Sequence, residues 1–231
     1  MYNKIVKNST KSRGRKPRQE AVPVDVIRRL SLYLRNLRAL REAGRDRVSS
    51  EEVAGPFNLS PAQFRKDLSW FGRFGKSGVG YEAEALSEEI MRIIGTDQSW
   101  NVAVVGVGEM GGALLKYPGF DQSNFNLAAA FDNNPAKIGR TVNGVKIVDI
   151  ADAPLTIKNC GIKVAILTVN RDAAQAAAEL MVKCGVRAIL NFAPCRLILP
   201  ETICVSNMDV SCELETLVCR LRHRLLRKGM Q

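Results

Sequence analysis

Val102-Ala103-Val104-Val105-Gly106-Val107-Gly108-Glu109-Met110-Gly111-Gly112-Ala113-Leu114-Leu115 passes from an apolar run, through a glycine-rich turn, into a helix-forming segment. A short apolar run closed by glycine reads as a buried strand. The GxGxxG spacing gives each glycine a separate task. Gly106 makes the tight turn, Gly108 lets a pyrophosphate approach the backbone, and Gly111 packs helix against strand. Val107, Glu109 and Met110 complete the phosphate turn, and the helix N-terminus behind it faces the phosphates. A second strand, 127–131, ends in Asp132, 21 residues after Gly111. That is close to the ~20 expected of a ribose-binding acid. Asp132 is expected to accept hydrogen bonds from an adenosine 2′-hydroxyl and to repel a 2′-phosphate, which favours NAD over NADP.

Further along, 163–169 and 188–192 read as buried strands, and 171–184 as an alanine-rich helix stopped by Gly185. Thr168-Val169 and Asn191-Phe192-Ala193-Pro194 fall at strand C-termini, where ligands bind in doubly wound sheets. They join the candidate cofactor residues. The sheet should end near residue 206. The last segment, 210–227, places Val210, Leu214, Leu217, Val218, Leu221 and Leu225 on one helix face. Such a terminal helix either docks on a partner subunit or packs on its own domain.

Upstream the chain changes character. Residues 1–80 hold 18 Lys/Arg and 7 Asp/Glu, whereas residues 81–231 hold 16 of each. Segregated charge predicts a front module that meets a polyanion and a neutral back module that binds something small. Residues 1–20 are too poor in apolar side chains to order themselves. Within them Arg13-Gly14-Arg15-Lys16-Pro17-Arg18 resembles a minor-groove arm, and as a solvated tail it still attracts phosphates. A first helix is expected over 24–43, with Val26, Ile27, Leu30, Leu34, Leu37 and Leu40 on one face. Ser49 and Glu52 form a capping box before a short second helix. Ser60 and Gln63 form another, with Pro61 at the first position of a third helix, 61–71. Phe64, Leu68 and Phe71 make its buried side. Ala62, Arg65, Lys66, Ser69 and Arg73 face outward.

Two short helices joined by a tight turn form a helix-turn-helix, whose second helix enters the major groove. Small and basic residues suit that stripe, although a solvated helix face would look similar. Four glycines between Gly72 and Tyr81 predict a β-hairpin wing, with Arg73 and Lys76 supplying charge. A flexible linker is the alternative. The candidate DNA-contacting set is Ser60, Ala62, Gln63, Arg65, Lys66, Ser69, Arg73 and Lys76. Residues 82–96 read as a connecting helix. The fold class is α/β: a winged helix-turn-helix over 21–84, a Rossmann-like doubly wound parallel sheet over 85–206, and a C-terminal helix over 207–231.

Other classes fit less of the chain. No apolar run reaches the ~18–20 residues that span a bilayer, and no hydrophobic stretch follows the basic start, so neither membrane nor secretion is expected. The six cysteines, Cys160 to Cys219, form no CxxC and read as reduced, partly buried residues. No metal site is expected. The single histidine, His223, sits among arginines, and too little chain follows the sheet for a substrate domain. No catalytic residue is assigned. An enzyme on a Rossmann or CoA-binding fold, and a nucleotide-binding scaffold whose basic front meets RNA or another acidic partner, remain the alternatives.

Arg65-Lys66-Asp67-Leu68-Ser69, Gly78-Val79-Gly80-Tyr81, Gly106 to Gly111, Tyr117-Pro118-Gly119-Phe120 and Leu190-Asn191-Phe192-Ala193-Pro194 together resemble the redox-sensing transcriptional repressor Rex family, over residues 22–209. The resemblance implies a cytoplasmic homodimer with the C-terminal helix swapped between subunits. It implies operator DNA bound when NADH is scarce and released when NADH accumulates, with NADH and NAD⁺ as the cofactors sensed. It places Tyr117 near the nicotinamide and makes Arg35 and Asp209 its switch partners. The chain departs from the family pattern at Val210, where an aromatic residue is usual, and at Asn170, where proline is common.

Overall fold

The computed structural model describes residues 22–75 and 79–228, and the chain divides between Asp97 and Gln98 into two compact units. The basic arm 1–20 and Lys76 lie outside the described residues.

The first unit runs α1 (Val24–Glu42), β1 (Arg47–Val48), α2 (Ser50–Ala54), α3 (Pro61–Leu68), β2 (Tyr81–Glu82) and α4 (Ala83–Ile94). The leucine stripe of α1 delivers Leu30, Leu34 and Leu37 to a core shared with Val53, Phe64 and Ile90. Tyr33, absent from that stripe, is fully buried and meets the Phe64 ring edge-on at 4.9 Å. The Ser49 box forms as expected: its side chain accepts from the Glu52 N–H, and Glu52 accepts from the Ser49 N–H. At Ser60 only half forms. The Gln63 N–H donates to Ser60, but the Gln63 amide reaches forward to Asp67 instead of back to the cap.

Three further expectations change. Helix α3 stops at Leu68 because Trp70 and Phe71 make tighter i→i−3 bonds to Asp67 and Leu68. The glycine run contributes its strand to a different partner: Tyr81–Glu82 pairs antiparallel with Arg47–Val48, ahead of α2. The unit boundary lies near residue 97 rather than 84, because Leu86 and Ile90 of α4 pack into the core against α1.

The second unit holds β3 (Trp100–Val105), α5 (Glu109–Leu114), β4 (Phe125–Asp132), β5 (Thr141–Val142), β6 (Val145–Asp149), α6 (Ala153–Asn159), β7 (Val164–Leu167), α7 (Arg171–Lys183), β8 (Ala188–Asn191), β9 (Cys204–Asn207) and α8 (Val210–Lys228). The sheet order is β5-β6-β4-β3-β7-β8-β9, parallel except where β5 pairs with β6. Asn143 and Gly144, both with positive φ, make the two-residue turn of that hairpin. Successive residues of β3 enter opposite layers: Ala103 and Val105 pack with α6 and α7, Val102 and Val104 on the other face. Two cores on two faces make the sheet doubly wound. The chain leaves β3 toward β4 and later returns to β7 on its other side, so a crevice opens at the C-terminal ends of β3 and β7.

Every described side chain of α8 is exposed, including Val210, Leu214, Leu217 and Leu221. The helix therefore does not cover its own sheet. Cys204, Cys212 and Cys219 are exposed too, contrary to the expectation of partial burial. Among the described residues no helix is long and apolar enough to cross a membrane, and no cluster of His, Cys, Asp and Glu could hold a metal ion.

Candidate functional site

A cleft of about 490 Å³ lies at the crevice. Gly106, Gly108, Asp132, Thr168 and Val169 line it, together with Lys137 and the alanine face of α7. The three glycines differ in what surrounds them. Gly106 has φ +90°, and a Cβ there would sit 2.9 Å from the Thr168 carbonyl oxygen. At Gly111 a Cβ would come within 2.1 Å of the Gly106 carbonyl, so α5 rests directly on the turn. At Gly108 a Cβ would meet nothing within 4 Å. The fold alone gives no reason for glycine at position 108. Open backbone at the mouth of a cleft is what a phosphate requires.

Asp132 ends β4 at 7% exposure. Its carboxylate accepts from the Val107 N–H at 2.8 Å, the Asn134 N–H at 2.9 Å and the Lys137 ammonium at 3.0 Å. Burial alone would raise this acid. The bonds from Asn134, Lys137 and Val107 outweigh burial and hold the group below its ordinary range. Asp132 is thus ionised at neutral pH and pinned to the phosphate turn. A carboxylate offers about four acceptor positions, so the three bonds leave room for a ligand hydroxyl. Sequence reasoning missed Lys137. Its signal was a lysine five residues beyond the acid, close enough to fold back onto it.

The other candidates lie around the cleft rather than in its wall. Val107 is buried and serves through its backbone, while Glu109 and Met110 are exposed on the first turn of α5. Tyr117 is 53% exposed, its ring edge-on to Phe120 at 5.2 Å. A Cβ at Gly119 would lie 2.4 Å from that ring, so only glycine lets Tyr117 lie so close to the backbone. Ala193 is buried, Phe192 is half-buried and Pro194 is exposed. The Asn191 amide is turned into the protein and spent on internal bonds. Arg35 is exposed on α1, and Asp209 caps α8 by accepting from the Ser211 and Cys212 N–H groups.

On the first unit α3 presents Ala62, Arg65 and Lys66 outward, and Ser69 and Arg73 follow, also exposed. The Arg65 guanidinium donates to the Ser50 hydroxyl at 2.9 Å. Ser69 bonds back to the Lys66 carbonyl, and Ser60 is the N-cap. The inner side of this helix holds a charged group that sequence reasoning read only as part of a motif. Asp67 is 1% exposed and accepts two bonds from Arg29, at 2.6 and 2.7 Å. It accepts further bonds from the Tyr33 hydroxyl at 2.9 Å and the Gln63 amide at 2.7 Å. Burial pushes Asp67 up, but Arg29, Gln63 and Tyr33 together hold it below the usual carboxylate range. Desolvation, followed by the bond to Asp67, raises the Tyr33 phenol. This network fixes α3 on α1. Its signal was Arg29 and Tyr33, one helical turn apart, facing an acid three residues beyond Phe64.

A helix-turn-helix unit with an exposed basic stripe, on the same chain as a Rossmann-type unit with an open phosphate turn, defines a DNA-binding regulator built on a nucleotide-binding fold. Comparison with known proteins narrows this class. Family models described as "Putative DNA-binding protein N-terminus" and "CoA binding domain" match residues 21–69 and 97–195. The chain is 44% identical to the redox-sensing transcriptional repressor Rex of Roseiflexus sp. over 83% of this chain and 87% of that one. It is 43% identical to Rex of Chloroflexus aurantiacus over 87% of this chain and 94% of that one. Among solved structures, RSP in complex with β-NAD⁺ and operator DNA superimposes with a TM-score of 0.82 at 34% identity, covering 92% of this chain and 98% of that one. RSP in complex with β-NADH gives a TM-score of 0.81 at 33% identity over 92% of this chain and all of that one, 100%. The chain belongs to the Rex family of redox-sensing transcriptional repressors.

Proposed function

We propose that this protein is a cytoplasmic, homodimeric repressor that binds a palindromic operator when NADH is scarce and leaves it when NADH accumulates. The observation that carries the reading is the likeness, over 92% of the chain, to a repressor whose crystal structures hold β-NAD⁺ with operator DNA in one case and β-NADH in another. The relatives are named as repressors, which favours a regulator over an enzyme.

The cofactor lies along the cleft. Gly106 to Gly111 receive the pyrophosphate, and Asp132 binds the adenosine ribose. Thr168, Val169 and the turn Asn191 to Pro194 border the nicotinamide half, with Tyr117 beside it. NAD⁺ carries a positive ring and NADH a neutral one, so an apolar nicotinamide pocket penalises the oxidised form through desolvation. Arg65, Lys66 and the exposed surface around Ser60, Ala62, Gln63, Ser69 and Arg73 meet the duplex. Lys76 and the arm 1–20 add phosphate attraction. The exposed apolar face of α8 is covered by a second copy of the chain, which makes the dimer. Arg35, Tyr117 and Asp209 form the switch.

Coupling of ~1–3 kcal/mol between the two sites suffices, and by reciprocity operator DNA must weaken NADH binding by the same factor. A palindromic duplex selected from a random pool provides the operator. NADH is then titrated with and without it, coenzyme A serving as competitor. The reading expects a lower NADH affinity with the duplex present. Equal affinity, or tighter binding of coenzyme A than of NADH, would refute it.

A further inference from the structure

The Asn191 side chain is spent on bonds inside the protein. It is 1% exposed at the end of β8, and its whole amide is used. The carbonyl oxygen accepts from the Ala193 N–H at 3.0 Å. The amide nitrogen donates to the Cys195 carbonyl and to Asn207 Oδ1, each at 2.9 Å, and to the Ala193 carbonyl at 3.3 Å. The first and last of these shape the turn 192–195. The bond to Asn207 reaches a different element, the end of β9.

Three structures meet at this amide. The Phe192 N–H donates to the Leu167 carbonyl at 2.8 Å, which ties the turn to β7 just before Thr168 in the cleft wall. The Met208 N–H donates to the Asn191 main-chain carbonyl at 2.8 Å, and Asn191 and Asn207 are register partners. Two residues beyond Asn207, Asp209 caps α8. All described side chains of β9 and α8 are exposed, so side-chain packing does not attach this helix to its own sheet. The attachment is the β9 ladder, and Asn191 is the buried side chain that grips it.

We infer that Asn191 and Asn207 are positioning residues that relay the state of the cleft to α8. A shift of the 192–195 turn when the dinucleotide binds pulls on Asn207 through this side-chain bond, which adds to the β9 ladder the one direct link from the turn-shaping amide, and so reorients the Asp209 cap. A hydrophobic contact would let the two elements slide, whereas a buried amide bond holds them in a fixed register. The inference rests on the proposed redox switch and adds the path by which the signal leaves the cleft.

Asn207 is the residue to change, because it is exposed and its loss leaves Asn191 with its bonds in the turn. Asn207→Ala removes the Oδ1 acceptor and Asn207→Asp retains it. The readout is the ratio of NADH dissociation constants with and without the selected duplex. In Asn207→Ala this ratio should fall about three- to ten-fold, the worth of one net hydrogen bond. Thermal stability and NADH affinity without DNA should stay close to those of the unaltered chain, and Asn207→Asp should restore the ratio. A ratio above one in the unaltered protein that Asn207→Ala leaves intact would overturn the relay alone. Equal loss in Asn207→Ala and Asn207→Asp would also overturn it. A ratio of one in the unaltered protein would remove both the switch and the relay.

Discussion

Replacing Gly108 with valine separates what the fold needs from what the ligand needs. Position 108 has φ −82° and ψ −161°, extended backbone that valine adopts without strain. A Cβ there meets nothing within 4 Å. The cost to the fold is limited to the weaker N-cap, about 1 kcal/mol. The cost to the dinucleotide is larger, because the side chain projects where the phosphates must approach. Losing two charge-assisted bonds from the turn, at about 1.5–3 kcal/mol each, weakens NADH binding roughly 10²- to 10⁴-fold. Nicotinamide fluorescence titration and a thermal melt measure the two effects side by side. Neighbouring glycines supply the controls. Gly111→Ala sets a methyl 2.1 Å from a backbone oxygen and should lower stability and binding together. Gly112→Ala meets nothing within 4 Å and should stabilise the chain by about 0.4–1 kcal/mol. A Gly108→Val protein that binds NADH as the unaltered chain does would refute the phosphate-turn assignment. One that fails to fold would refute the reading of position 108 as open space.

Other expectations follow from the same geometry. Because Asp67 is held below its unfolded value of about 3.9, its stabilisation is full above that pH and is lost as pH falls through the folded pKa. Asp67→Asn should therefore flatten the acid limb of a stability profile, and also weaken operator binding by loosening α3 from α1. An unchanged limb would mean that Asp67 is not paired as described. Arg65→Ala should lose about 1–3 kcal/mol of discrimination at one operator position while NADH binding stays intact; unaltered selectivity in a mutated-operator series would place Arg65 outside the groove. Leu217→Asp on the exposed face of α8 should weaken the dimer at least about 100-fold in sedimentation, from lost apolar burial and a buried charge; an unperturbed dimer would assign that face to solvent.

The order of elements was largely legible because it rests on local signals. The apolar run before Gly106, the Ser49 box and the alanine-rich run before Gly185 placed β3, α2 and α7 within a residue or two of their observed bounds. What escaped depends on distant partners. Nothing adjacent to Asp67 announces that Arg29, 38 residues earlier, neutralises it, so the acid was legible only as part of a motif. That Asn207, 16 residues on, receives a bond from the Asn191 amide depends on the pairing of β8 with β9, which local spacing does not record. Strand β9 has no buried side to give it an alternating pattern. The partner of β2 lies before α2, not within the glycine run, and sequence spacing carries no record of that pairing.

The claim that most needs direct measurement is that one chain reads DNA and the redox state of a nicotinamide together. Operator occupancy should be followed at fixed salt and constant total dinucleotide while the NADH to NAD⁺ ratio is raised. Occupancy should fall steeply as NADH replaces NAD⁺ and return when the ratio is reversed. Occupancy that depends only on total dinucleotide, or on neither form, would contradict the account.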